Sequence, residues 1–141
     1  MVDIASFGSW IPQLPGILPK WLLFISVVSI FNSFQCYTSG LALTQRVYEN
    51  KPQEVTPLSA RTFGTWTLIS SVIRFYGAYY LNVPQVYQIT FASYSIAFIH
   101  FGLEWFVYKT AKLGKGLAGP LVVSTMTLVW MWNQWDYYTS L

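Results

Sequence analysis

His100 and Glu104 stand four residues apart in an apolar stretch, so they share one face of a helix. An imidazole above a carboxylate suggests either acid–base chemistry or a metal site. A metal site needs three or four ligands, and the whole chain holds one His, one Cys and five acids. The expected role of the pair is therefore a polar contact inside a bundle. No catalytic set, metal site or cofactor site is expected. Arg74 is a second ionisable group in an apolar stretch, and such residues are functional candidates by default. A pairing between Arg74 and Glu104 fails on depth. They lie thirteen and four residues from the expected helix ends at Arg61 and Tyr108, a mismatch of roughly 14 Å at 1.5 Å per residue. Arg74 is better matched to Tyr94 and Ser95, and Glu104 to Arg61 or a basic loop residue.

Asn32, Cys36 and Gly40 recur every four residues, with Ser29 and Ser33 on a neighbouring stripe. Small and weakly polar residues at this spacing let helix backbones approach and hydrogen-bond. The stripe suits packing within the chain, or a contact with a second copy in a homodimer. Cys36 is the single cysteine, so no intrachain disulfide forms. It reads as a small buried hydrophobe, with pairing to a second copy as the alternative. The segment KTAKLGKGLAGP resembles a phosphate-binding loop only superficially, because it lacks the G-x-x-x-x-G-K-[ST] order and follows a helix. No nucleophile elbow, His box or dinucleotide fingerprint is present.

The elements that hold these residues follow from composition. Hydrophobic residues make up 54% of the 141 residues and charged residues 9%, against roughly 25% charged in a soluble domain. Aromatic residues reach 19%, and Trp and Tyr gather where headgroups meet hydrocarbon. The net charge of +3 is thinly spread, which excludes a phosphate-tracking nucleic-acid surface. The expected fold is an all-α integral membrane protein with four transmembrane helices in a compact bundle, at 21–45, 62–81, 86–108 and 117–135. The uncharged run from Trp21 to Gln45 is the clearest span. In the second, Arg74 costs about 2.5–3.5 kcal/mol, and each Leu, Ile, Phe or Val returns about 0.3–0.6. That helix should be sheltered by its neighbours. The turn at 82–85 makes helices two and three an antiparallel hairpin. Strands are excluded, since the apolar runs are long and lack alternation.

Residues 1–20 form an N-terminal lumenal or interfacial segment with no basic residue before Lys20. It does not read as a cleaved signal, and the first helix is expected to stay as an anchor. Arg46, Lys51 and Arg61 in the 46–61 loop, and Lys109, Lys112 and Lys115 in the 109–116 loop, share one side. Lys20 is alone on the other, where the 136–141 tail also lies. The bias places both basic loops in the cytosol and both termini across the membrane. The six basic residues are also the candidate contacts for partners and for anionic membrane lipid.

Three stretches, LPKWLLFISVVSIFNSFQCY, PLSARTFGTWTLISSVIRFYGAYYLN and KLGKGLAGPLVVSTMTLVWM, strongly resemble the ergosterol biosynthetic protein 28 family. The likeness runs from about Leu18 to Tyr138; the first seventeen residues and the last few do not share it. It implies a non-catalytic scaffold of the endoplasmic reticulum membrane. Such proteins tether the sterol C-4 demethylation enzymes: a C-4 methyl oxidase, a 3β-hydroxysteroid dehydrogenase/decarboxylase and a 3-keto reductase. A C-24 methyltransferase is among the associated partners. The family supplies no catalytic motif to transfer. Two other functions fit the residues less well. One is a sterol-modifying membrane enzyme using His100 and Glu104. The other is a small channel lined by Asn32, Gln35, Arg74 and His100.

Overall fold

The computed structural model describes residues 10–141. The part of the expected N-terminal segment before Trp10 lies outside the described residues. Every regular element among the described residues is helical, as expected for an all-α chain. Four long helices form the body: α1 (Leu18–Thr38), α3 (Pro57–Tyr80), α4 (Pro84–Phe106) and α5 (Lys115–Asn133). Two short helices, α2 (Ala42–Val47) and α6 (Trp135–Thr139), and a single 3₁₀ turn at Pro52–Glu54 fill the connections.

The helix bounds depart from the expected ones for local reasons. The first helix stops at Thr38 instead of running to 45, because Gly40 takes φ +73°, a left-handed conformation that ends a helix. The apolar residues after it form the separate α2. Helix α3 begins at Pro57, five residues before the expected start. Thr56 and Ser59 bond reciprocally as a capping box, and Pro57 takes the first helical position, where its missing N–H costs nothing. Pro84 opens α4 in the same way. Helix α5 begins at Lys115, which leaves Pro120 inside it and the Gly116 carbonyl without its helical donor.

Helix α1 packs along α3, α4 packs on both α3 and α5, and α2 wedges against α5. Glycines permit two of these approaches. A Cβ on Gly64 would lie 2.8 Å from the Cys36 Cβ and 3.1 Å from the Ser33 carbonyl oxygen. A Cβ on Gly77 would lie 2.9 Å from the Thr90 Cγ2.

The interior mixes apolar side chains, among them Leu22, Tyr87, Phe101 and Met131, with small polar ones. Ser26, Ser33, Ser71, Thr90, Ser93, Ser124 and Thr127 are buried between the helices. Several return their hydroxyl to their own helix, as Ser26 does to the Leu22 carbonyl at 2.7 Å and Thr90 to the Val86 carbonyl at 2.8 Å. The outer faces are apolar: Phe31 is 64% exposed on α1, Ile69 58% on α3, Ile96 64% on α4 and Val122 60% on α5. One helix among the described residues, Leu18–Thr38, is long and apolar enough to cross a membrane by length and composition.

An aromatic cluster closes the end of the bundle away from the basic loops. Trp21 Nε1 donates to Thr127 Oγ1 at 2.9 Å, and the Trp21 and Trp130 rings lie 6.4 Å apart. The buried Tyr87 hydroxyl donates to the Met131 carbonyl at 2.7 Å. Tyr138 on α6 donates to the Pro15 carbonyl at 2.8 Å, which ties the tail to the chain before α1.

Candidate functional site

The up-and-down order of the helices brings Arg46, Lys51, Arg61, Lys109, Lys112 and Lys115 to one end of the bundle. All six reach the surface. Lys20 is exposed at the other end. The two basic loops touch. The Asn50 amide donates to the Thr110 carbonyl at 3.1 Å, and its side-chain Nδ2 donates to the Ala111 carbonyl at 3.2 Å. In the loop before α5, Lys109 takes φ +56°, a left-handed conformation unusual for a residue with a Cβ. Lys51 pairs with Glu54 at 4.0 Å, both exposed, and a pair of this kind contributes little stability.

Between these loops lies a cleft of about 440 Å³ lined by Tyr48, Trp66, His100, Glu104 and Thr110, among others. His100 Nε2 lies 2.7 Å from the Tyr48 hydroxyl, and its ring packs edge-on against Trp66 at 5.5 Å. Burial first, then the Glu104 charge, then Cys36, push the Tyr48 phenol well above the ordinary tyrosine range. Tyr48 therefore keeps its proton at neutral pH, and the His100 tautomer sets which of the two donates in their hydrogen bond. Glu104 pairs neither with Arg61 nor with a basic loop residue, as the sequence suggested. Its carboxylate accepts the Thr110 hydroxyl, and its backbone carbonyl accepts the Ala111 amide at 3.1 Å. The loop folds back over the end of α4, so a neutral residue reaches Glu104 first. Both members of the expected pair thus have defined partners. Tyr48 and Thr110, which supply them, lie far away in sequence or outside the apolar runs, and only Tyr48's place in a loop flanked by apolar residues hints at burial. No three His, Cys, Asp or Glu side chains come together among the described residues.

A second space, a crevice of about 350 Å³, runs from the bundle interior toward the basic end. Its walls come from the facing sides of α1 and α5, with Ile25, Val28, Pro120 and Val123 among them. Arg74, Tyr94 and Thr67 line it on the inner side. Arg74 is 7% exposed; its Nε donates to Ser93 Oγ at 3.2 Å and its Nη2 to the Ser93 carbonyl at 3.2 Å. Its Cζ lies 3.8 Å from the centre of the Tyr94 ring, a cation–π contact. The sequence reading paired Arg74 with Tyr94 and Ser95. The structure keeps Tyr94 and replaces Ser95 with Ser93, whose hydroxyl and carbonyl both turn toward α3.

The small-residue stripe of α1 divides. Ser33 and Cys36 are buried against Gly64 of α3 within the same chain. A disulfide between Cys36 and a second copy would require α1 and α3 to part. Ser29 and Asn32 line the crevice instead. Gly40 is exposed beyond the helix end and belongs to no packing seam.

The family model described as "Erg28 like protein" matches residues 18–129. Ergosterol biosynthetic protein 28 of Saccharomyces cerevisiae is 65% identical over 125 residues, covering 89% of this chain and 84% of that protein. The Candida albicans protein of the same name is 61% identical, covering 89% of this chain and 90% of its own length. The human ergosterol biosynthetic protein 28 homolog is 37% identical, covering 82% and 83%. No solved structure matches the chain.

Proposed function

This chain belongs to the Erg28-like protein family, and from that premise we propose that it serves sterol biosynthesis as a non-catalytic membrane scaffold. The observation that carries the reading is the 65% identity, over 89% of the chain, to a protein named for ergosterol biosynthesis. The apolar outer faces of the bundle support the membrane part. Buried Ser and Thr with exposed Phe, Ile and Val gain little from folding in water. In lipid they put the apolar groups against hydrocarbon and let small residues pack backbones closely. In this reading all four long helices span, α3 being sheltered by the others because it carries Arg74. The six basic residues at one end face the cytosol, and the aromatic end with both termini faces the lumen of the endoplasmic reticulum.

The proposed partners are the C-4 methyl oxidase, the 3β-hydroxysteroid dehydrogenase/decarboxylase and the 3-keto reductase of sterol C-4 demethylation, with a C-24 methyltransferase associated. Cytosolic domains would meet the basic loops, and membrane anchors the apolar helix faces; a homodimer would use the same faces. Holding consecutive enzymes together raises the effective concentration of each intermediate without new chemistry. Affinity capture of the full-length chain from mild detergent tests this. The three enzymes should be recovered together, and Lys109→Glu/Lys112→Glu/Lys115→Glu should lose at least one of them while the chain still elutes as a folded bundle. Recovery of every partner by that variant would remove the basic loop from the interface, and recovery of none by the wild-type chain would remove the scaffold.

The cleft that holds His100 and Glu104 favours a second reading, a sterol-modifying enzyme. Their existing hydrogen bonds to Tyr48 and Thr110 weigh against free proton transfer. Turnover of a sterol by the purified chain alone would establish that alternative.

A further inference from the structure

Arg74 is a buried cation with an unused valence. A guanidinium carries five N–H donors, and Arg74 spends two, one at Nε and one at Nη2, both on Ser93. No carboxylate approaches it; the one ion pair among the described residues is Lys51–Glu54. The cation–π contact with Tyr94 offsets part of the desolvation but supplies no acceptor for Nη1. A further group of the crevice is buried without a partner: the Thr67 hydroxyl makes no hydrogen bond. The Tyr94 hydroxyl lies beside Thr127. Buried polar groups are nearly always satisfied. Here the Thr67 hydroxyl and an Arg74 guanidinium with no acceptor at Nη1 line the same crevice of about 350 Å³, whose remaining walls mix apolar side chains with Ser29, Asn32, Ser70 and Ser124.

The geometry points to a binding site for a hydrophobic monocarboxylate: its carboxylate on the guanidinium of Arg74, with Thr67 as a further donor, and its apolar body between α1 and α5. An anion completes a charge that the chain itself leaves uncompensated, and a planar carboxylate matches the guanidinium fork. The apolar body would lie along Ile25, Val28 and Val123. The basic end, with Arg46 and Lys115 at the crevice mouth, would draw an anion inward. Such an acid has two sources, a ring-system acid or a straight-chain acid released from lipid. The inference stands on the crevice alone, so ligand binding and partner capture can each fail without the other.

Native mass spectrometry of the purified full-length chain in detergent, with 5β-cholanic acid and oleic acid and the methyl ester of each, tests it. At least one acid should bind one-to-one, at least tenfold tighter than its ester, and the better acid names the source. Arg74→Met should abolish the preference for acid over ester. Because that variant removes a buried side chain and risks misfolding, Ser29→Phe supplies an independent arm. It narrows the crevice from α1 without touching Arg74, and it should weaken acid binding at least tenfold in a chain that still melts cooperatively. Equal binding of acid and ester by the wild-type chain, binding of neither acid, or full binding by Ser29→Phe would overturn the site.

Discussion

His100 and Glu104 invite a catalytic reading, and each has a structural partner. Glu104 holds the Thr110 loop, and Tyr48 holds His100. Tyr48 also gives a pH prediction. Its phenol is raised above the ordinary tyrosine range by burial, then by the Glu104 charge, then by Cys36. The folded chain therefore binds that proton more tightly than the unfolded chain. This contribution is complete below the unfolded value and is lost as pH rises from there toward the folded one. Tyr48→Phe should cost about 0.5–1.5 kcal/mol at pH 8 through the lost hydrogen bond. The gap to wild type should narrow as the buffer is raised past pH 10, measured by thermal unfolding in detergent. A gap that stays constant or widens would contradict the assignment.

At the scale of the helices, two glycines make opposite predictions. A side chain on Gly64 meets Cys36 and the Ser33 backbone, whereas one on Gly102 meets nothing within 4 Å. Gly64→Leu should therefore lower stability by about 1–3 kcal/mol or more through overpacking. Gly102→Ala should leave it unchanged or raise it by up to about 1 kcal/mol, the helix-propensity gain. Melting curves of the two variants check the pair, and equal behaviour would mean that the α1–α3 seam is not where Gly64 places it. The four long helices were legible because their apolar runs are long and separated by basic or Pro-containing segments. Their ends were less so. The signal that ends α1 is the Ser39–Gly40 dipeptide, masked by the apolar Leu41–Leu43 that follow. The signal that starts α3 is Thr56–Pro57 with Ser59, masked by Arg61, which looked like a boundary. At the candidate site, the level of Arg74 opposite Tyr94 was legible from helix depth. The Tyr48 and Thr110 contacts were not, because they depend on how two loops fold over one helix end.

For the molecule as a whole, the apolar exterior and the basic end are the features that the proposed scaffold would use in a bilayer. Tethering has a physical signature that chemistry lacks: it makes a coupled rate insensitive to dilution of the enzymes in the membrane. The decisive measurement reconstitutes the three C-4 demethylation enzymes in vesicles, with and without this chain, and dilutes them tenfold with lipid. With the chain, the coupled rate per enzyme should hold and free intermediates should stay low, while each enzyme's own turnover is unchanged. An equal fall in coupled rate on dilution with and without the chain, or sterol conversion by the chain alone, would contradict the scaffold.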